Sequence, residues 1–148
     1  MKIDVAGRNF IYKQEGVRLK AYLDSAKVPT IGVGMTYYPA TGAKIKMGDT
    51  ISLADCDSMF TAIVASYEAA VTKAITVPVS QSQFNALVSM AYNIGTAGFS
   101  KSTLVKRINA NASDDLIKAA FLMWNKAGGD VNSTLTKRRN DEANLYLN

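Results

Sequence analysis

The sequence contains no histidine and a single cysteine, Cys56, among its 148 residues. Without imidazole, the chain cannot build a Ser-His-Asp or Cys-His centre, a zinc helix of the HExxH kind or an imidazole proton shuttle. One cysteine cannot close an internal disulfide or supply a cysteine-rich metal site, and we interpret Cys56 as a small packing residue. Acid–base chemistry near neutral pH must therefore rest mainly on carboxylates.

The sequence also lacks a long apolar run. Charged side chains are interspersed from Lys2 through residues 1–25, so we expect no signal segment there. The uncharged stretch that follows Lys73 is interrupted by Ser, Gln and Asn. We therefore expect no stable membrane insertion, and the single cysteine fits synthesis in a reducing cytoplasm.

Acidic residues are fewer than basic ones, 12 against 17, which gives a net charge of +5. Such a charge favours anionic partners such as nucleic acid, anionic lipid or an acidic wall polymer. The basic residues are dispersed, and the densest cluster is residues 137–139. Because no zinc finger or RNA-binding signature is present, we expect no nucleic-acid partner.

The first third of the chain mixes helix and strand signals. Asp4 is a suitable N-cap for a helix that continues to about Gln14. Gly32 and Gly34 lie two apart, so both occupy one face of a strand and leave that face without side chains. The strands are expected over residues 18–23, 30–35 and 44–47.

From Ser52 onward the pattern is helical. Apolar residues with the 3.6 period predict a helix of roughly 23 residues that ends before Pro78. Ser80 and Gln83 form a capping box for the next helix, which stops near Gly95. Further helices are expected to begin near Ser100, Ser113 and Thr134, with residues 128–129 separating the last two.

These elements predict an α+β, mainly helical fold within one domain, residues 1–148. Residues 1–51 would form a small mixed α/β lobe with the active-site residues, residues 52–76 a connecting helix, and residues 77–148 a helical lobe. A cleft between the lobes is the expected ligand site.

Two carboxylates and a hydroxyl in the small lobe suit glycoside hydrolysis. Glu15 ends the first helix, Asp24 ends the first strand and Thr30 opens the second. One carboxyl group can protonate the leaving oxygen while the other acts on the opposite face of the sugar, and a hydroxyl can align a water. By spacing alone, a solvated helix end, a turn residue and an ordinary strand residue remain open alternatives.

The run from Glu15 to Asp24, followed by Thr30-Ile31-Gly32-Val33-Gly34, resembles the active-site signature of phage-type lysozymes of the T-even and lambdoid phages. That signature is a Glu, eight residues, an Asp, five residues and a Thr that begins T-I-G-x-G. The resemblance continues, in the family's order, through residues 83–89, 92–95, 99–104, 124–125, 128–129, 138–139 and 142.

The resemblance implies a lysozyme-like two-lobed fold and an endolysin muramidase. This enzyme would hydrolyse the β-1,4 bond between N-acetylmuramic acid and N-acetylglucosamine, with inversion. Glu15 would be the general acid, Asp24 the carboxylate that acts on water, and Thr30 the residue that orients that water. No cofactor and no metal are expected.

The resemblance also implies substrate-binding residues and partners. Tyr92, Ser102 and Gly34 would contact the saccharide, although Tyr92 is equally consistent with a helix core. Arg138 would pair with acids near the first helix, including Glu15, or would lie on an exposed helix face. We expect a monomer that gathers in the host cytoplasm and reaches periplasmic peptidoglycan through a holin pore.

The chain departs from the family pattern at two places. Met35 stands where the family usually has His, and residues 134–135 are Thr-Leu where it usually has Gly-Leu. We expect the first change to remove polar contacts between the lobes and to leave the chemistry intact. A lytic transglycosylase, a non-catalytic wall-binding module and, more remotely, a nucleic-acid binder are the alternative functions.

Overall fold

The computed structural model describes all 148 residues. No helix has both the length and the apolar character that crossing a membrane requires. The helices are α1 (Val5–Glu15), α2 (Leu53–Ala74), α3 (Gln81–Ile94), α4 (Thr96–Ser100), α5 (Thr103–Asn109), α6 (Asp114–Leu122) and α7 (Ser133–Leu147). The strands are β1 (Arg18–Leu23), β2 (Pro29–Gly32), β3 (Lys126–Ala127) and β4 (Asp130–Val131).

The chain divides into two compact units. The smaller unit is Asn9–Ala65, and the larger unit is Met1–Arg8 together with Ser66–Asn148. The smaller unit contains β1, β2 and the end of α1, whereas the larger unit contains α3 to α7 and the β3–β4 pair.

The second strand is shorter than the expected residues 30–35. Gly32 and Gly34 have φ angles of +65° and +71°, which extended L-residues do not adopt. The chain therefore turns back at once, and Ile31 and Met35 exchange backbone hydrogen bonds of 2.8 and 2.9 Å. The result is a tight turn whose tip carries Gly34.

The third strand expected over residues 44–47 is absent. Lys44 makes only an isolated bridge. The carboxylate of Asp49 accepts a hydrogen bond of 3.0 Å from the backbone amide of Lys46, which closes a turn where the strand was expected. The outer edge of β1 is instead bridged by Thr50.

The capping box at the start of α3 is confirmed. The backbone amide of Gln83 donates to Ser80 Oγ at 3.1 Å, and the amide of Ser80 donates to Gln83 Oε1 at 2.9 Å. The helix expected from Ser100 begins later, at α5, because Ser102 is extended and its hydroxyl accepts the amide of Val105. The short helix α4 before it was not expected.

The segment between α6 and α7 contains a hairpin that the sequence interpretation missed. Strand β3 pairs antiparallel with β4 across the two residues Gly128 and Gly129. Their φ angles are +59° and +87°, and two consecutive positive φ angles are typical of the two-residue turns that connect hairpin strands. A Gly-Gly pair therefore formed a turn between strands here, and the strands were too short to leave a sequence pattern.

The larger unit is built around α3. Every residue from Phe84 to Ala91 is buried, so the middle of this helix is covered on all sides. Helix α7 packs against it and buries three charged side chains, Arg138, Arg139 and Glu142. The exposed helix face that was one alternative for Arg138 is therefore wrong.

These three charges and Ser89 form a buried ion cluster. Ser89 Oγ donates to Glu142 Oε2 at 2.5 Å, and Arg138 Nε donates to the same oxygen at 3.2 Å. Arg139 Nε lies 3.0 Å from Oε1 without hydrogen-bond alignment, so this contact is an ion pair only. Burial raises the pKa of Glu142, while both guanidinium groups and Ser89 oppose that rise.

Candidate active site

Glu15 is the last residue of α1. The helix stops there because Gly16 has a φ of +77° and its amide donates to the carbonyl of Tyr12 at 2.8 Å. A glycine in this conformation is a common helix terminator. The side chain of Glu15 is thus held at a helix end.

The carboxyl group of Glu15 lies against Gly34. A Cβ atom added to Gly34 would be 3.3 Å from Glu15 Oε1, so the carboxyl oxygen occupies space that a side chain would need. Gly34 stands at the tip of the tight turn after β2. The second glycine of the T-I-G-x-G signature therefore allows both the turn and the close approach of the carboxyl group.

Asp24 is fixed by the turn that joins β1 to β2. Its Oδ1 accepts two backbone hydrogen bonds, from Ala26 at 2.8 Å and from Val28 at 2.9 Å. A short acidic side chain that closes a turn in this way is an Asx-type turn. Oδ2 of Asp24 makes no hydrogen bond within the protein, so one carboxylate oxygen remains available to a ligand.

Thr30 is fixed by the same turn. It is only 3% exposed, and its Oγ1 donates to the carbonyl oxygen of Val28 at 2.8 Å. Because that bond uses its proton, the hydroxyl can only accept further hydrogen bonds. Val28 thus binds Asp24 through its amide and Thr30 through its carbonyl, which ties the two side chains to one residue.

The turn therefore combines an ionisable oxygen acceptor and a hydroxyl acceptor. A water molecule has two protons, and it can donate one to a carboxylate oxygen and the other to a hydroxyl oxygen. No group of three or more His, Cys, Asp or Glu side chains is placed to hold a metal ion. The arrangement suits acid–base chemistry on water.

Met35 and Cys56 pack against Gly32, the first glycine of the T-I-G-x-G signature. A Cβ atom added to Gly32 would lie 3.3 Å from both sulfur atoms, and both residues are buried. Burial raises the pKa of the Cys56 thiol, and the nearby Asp57 adds to the rise. Cys56 is therefore a packing residue, as expected, and Met35 fills an apolar position behind the turn.

The other predicted binding residues belong to the larger unit. The ring of Tyr92 is half-buried on α3, with its centroid 5.0 Å from that of Tyr67. Ser102 is buried, and its hydroxyl caps α5. Trp124 is half-buried and lines a cavity of about 440 Å³ together with Asn93 and Met123.

Sequence interpretation missed the contacts that hold these residues in place. The backbone amides that bind Asp24 leave no pattern in the sequence. The T-I-G-x-G glycines were the one available signal, because paired glycines indicate close approach.

Comparison with known proteins gives a consistent result. The family model described as phage lysozyme matches residues 12–142. The endolysin of Salmonella phage P22 is 36% identical over 147 residues, 99% of both chains. The endolysin of Bacillus phage B103 is 40% identical over 99% of this chain, which spans 54% of that protein.

Solved structures agree with the sequence matches. The endolysin from Escherichia coli O157:H7 phage FAHEc1 superimposes with a TM-score of 0.93 at 38% identity, covering 100% of this chain and 94% of that one. The predicted mainly helical α+β, lysozyme-like fold is thereby confirmed. The chain belongs to the phage lysozyme family.

Proposed function

We propose that this chain cuts the β-1,4 bond between N-acetylmuramic acid and N-acetylglucosamine, with Glu15, Asp24 and Thr30 as its catalytic residues. As a phage lysozyme, it is a glycoside hydrolase that acts on peptidoglycan. The observation that carries the finer proposal is the turn around Val28, where Asp24 keeps one oxygen unoccupied beside a hydroxyl acceptor.

Glu15 acts as the general acid. Its carboxyl proton passes to the glycosidic oxygen as the bond from that oxygen to the anomeric carbon breaks. The turn at Gly34 supports this role because it restricts where the Glu15 carboxyl group can lie. The leaving sugar then departs as a neutral alcohol.

Asp24 and Thr30 act on water. Asp24 Oδ2 accepts one proton of the water, whose oxygen bonds to the anomeric carbon, while Thr30 Oγ1 accepts a hydrogen bond from the other proton. Attack from the face opposite the leaving group inverts the anomeric centre, and both carboxyl groups return to their starting states after one proton exchange with solvent. The fixed Oδ1 of Asp24 supports this role because it leaves Oδ2 in a defined direction.

Residues 1–148 act as one lysozyme domain and as a monomer. Tyr92, Ser102 and Gly34 contact the saccharide. The protein gathers in the host cytoplasm and reaches the wall through a holin pore, and its +5 charge assists its approach to an anionic wall.

Product analysis on purified peptidoglycan tests the bond chemistry. We expect each cut to release a reducing N-acetylmuramic acid end, and mass spectrometry should find one water added per cut. Anhydro products, one water lighter, would identify a lytic transglycosylase instead. Binding without new reducing ends would identify a wall-binding module.

Gly34→Ala is expected to impair catalysis more than stability. The new Cβ would lie 3.3 Å from Glu15 Oε1 and must displace the carboxyl group by a few tenths of an ångström. We expect about a tenfold loss of kcat, because small displacements of reacting groups are costly. The positive φ should cost about 1–2 kcal/mol of unfolding free energy.

Gly42→Ala is the matched control. Gly42 has a φ of +76° and belongs to the same unit, but nothing lies within 4 Å of its added Cβ atom. It should lose similar stability in urea unfolding and keep its rate of peptidoglycan hydrolysis. Equal rates for the two variants would show that the approach of Gly34 to Glu15 has no catalytic importance.

A further inference from the structure

Strand β1 is irregular close to the turn that joins it to β2. This turn carries Asp24 and Thr30 and is called the active-site turn below. Tyr22 pairs with Thr30, and Arg18 pairs with Gly32. Three residues of β1, 19–21, therefore stand opposite one residue of β2, and the register shifts between the two pairs. Such bulges bend a strand and redirect its side chains, and they are frequent beside active sites.

The bulge brings together two side chains that a regular strand would separate. Residues four apart in a regular strand are about 13 Å apart along its axis. Here the guanidinium carbon of Arg18 lies 4.2 Å from the centroid of the Tyr22 ring. A cation at this distance is attracted by the electron-rich ring face, so the guanidinium group has a defined position.

Arg18 is not neutralised by any acid of the protein. It is exposed, and it makes no ion pair and no side-chain hydrogen bond within the chain. The ring contact orients the guanidinium group without using its N–H donors. An oriented arginine whose donors are all available is suited to bind a carboxylate through two parallel hydrogen bonds.

The contact with Tyr22 places Arg18 near the active-site turn. Tyr22 is the direct neighbour of Thr30 across the sheet and precedes Asp24 by two residues. Both neighbours are proposed to act on water. A group bound at Arg18 would therefore belong to a substrate that also reaches that turn.

We propose that Arg18 anchors the substrate by binding a carboxylate of peptidoglycan, and that Tyr22 is the positioning residue that holds the guanidinium group. This inference rests on the proposed function. Peptidoglycan carries carboxylates on its peptide stems, whereas the bond that is cut lies between uncharged sugar rings. Arg18 thus distinguishes the anionic wall polymer from neutral polymers of N-acetylglucosamine.

Steady-state kinetics on two substrates tests the anchor. The substrates are soluble peptidoglycan fragments and the same fragments with their carboxylates converted to amides. Arg18→Gln should raise KM for the native fragments about three- to tenfold, because a charge-assisted hydrogen bond at an exposed site is partly screened. The kcat of this variant, and its KM for the amidated fragments, should stay within twofold of the values of the original protein.

Lys20→Gln is the matched control for charge. Lys20 is exposed, lies on the same strand and makes no ion pair. It should leave KM within twofold on both substrates. An equal rise in KM for Lys20→Gln would mean that general attraction, and no specific anchor, acts here, and the proposal for Arg18 would be overturned.

Two substitutions test the role of Tyr22. Tyr22→Leu removes the aromatic face and should raise KM as Arg18→Gln does, whereas Tyr22→Phe keeps the face and should restore the original KM. A rise in KM with both variants, or a fall in kcat alone, would contradict a positioning role. Thermal unfolding of each variant separates these effects from misfolding.

A binding measurement separates this inference from the proposed function. Cosedimentation with insoluble peptidoglycan is measured for Arg18→Gln and for the original protein, at low temperature and on native and amidated walls. Weaker binding of the variant to native walls alone supports the anchor even if no bond is cut. Hydrolysis of native walls with unchanged KM and binding in the variant overturns the anchor and leaves the proposed function standing.

Discussion

Glu15→Gln is expected to lower the rate of peptidoglycan hydrolysis by about 10²- to 10⁴-fold, the usual contribution of a general acid. Glutamine has nearly the same shape as glutamic acid, so the turn at Gly34 can accommodate it. It cannot transfer a carboxyl proton to the glycosidic oxygen. Turbidity loss of a wall suspension, together with reducing-end release, measures the effect.

Asp55→Asn is the control for this variant. Asp55 is an exposed acid in the first turn of α2, in the same unit as Glu15, and its replacement removes the same charge. We expect its rate to stay within about twofold, since an exposed charge away from the reacting groups has a small effect. Circular dichroism should show that both variants are folded. A folded Glu15→Gln protein with full activity would refute the acid role.

Glu142→Ala is expected to be the most destabilising single substitution in the larger unit. Glu142 is fully buried and pairs with both Arg138 and Arg139. Removing one partner of a buried ion pair costs about 3–5 kcal/mol, because the remaining charges lose their compensation. For a chain of this length, Tm should fall on the order of 10 °C.

Two further variants define the source of that loss. Ser89→Ala removes one hydrogen bond to Glu142 and should cost about 1–3 kcal/mol. Asp115→Asn, at an exposed position in the first turn of α6, should cost less than about 1 kcal/mol. Urea unfolding measures all three. A loss below 1 kcal/mol for Glu142→Ala would mean that the ion pairs of Glu142 contribute little to stability.

Several elements of the fold were predictable because their causes are local. Ser80 and Gln83 satisfy each other's backbone amides, so their spacing alone predicts the start of α3. The third strand could not be excluded in this way. The turn that replaces it depends on the hydrogen bond from the backbone amide of Lys46 to the carboxylate of Asp49. This bond prevents residues 44–47 from extending only once the chain has folded.

The candidate site shows the same difference between what local sequence predicts and what depends on the folded chain. The sequence by itself determined which chemistry is possible: the absence of histidine excludes imidazole catalysis, and the spacing of Glu15, Asp24 and Thr30 matches the phage lysozyme signature. Residue type limits chemistry whatever the fold.

Only the tertiary structure decided how those residues are held. One oxygen of Asp24 is bound to the turn amides while the other stays available, and Glu15 lies against Gly34. The bulge in β1 sets Arg18 over Tyr22. Hydrogen-bond direction, strand register and close backbone approach depend on atoms far apart in the chain, and a linear pattern of residue types does not record them.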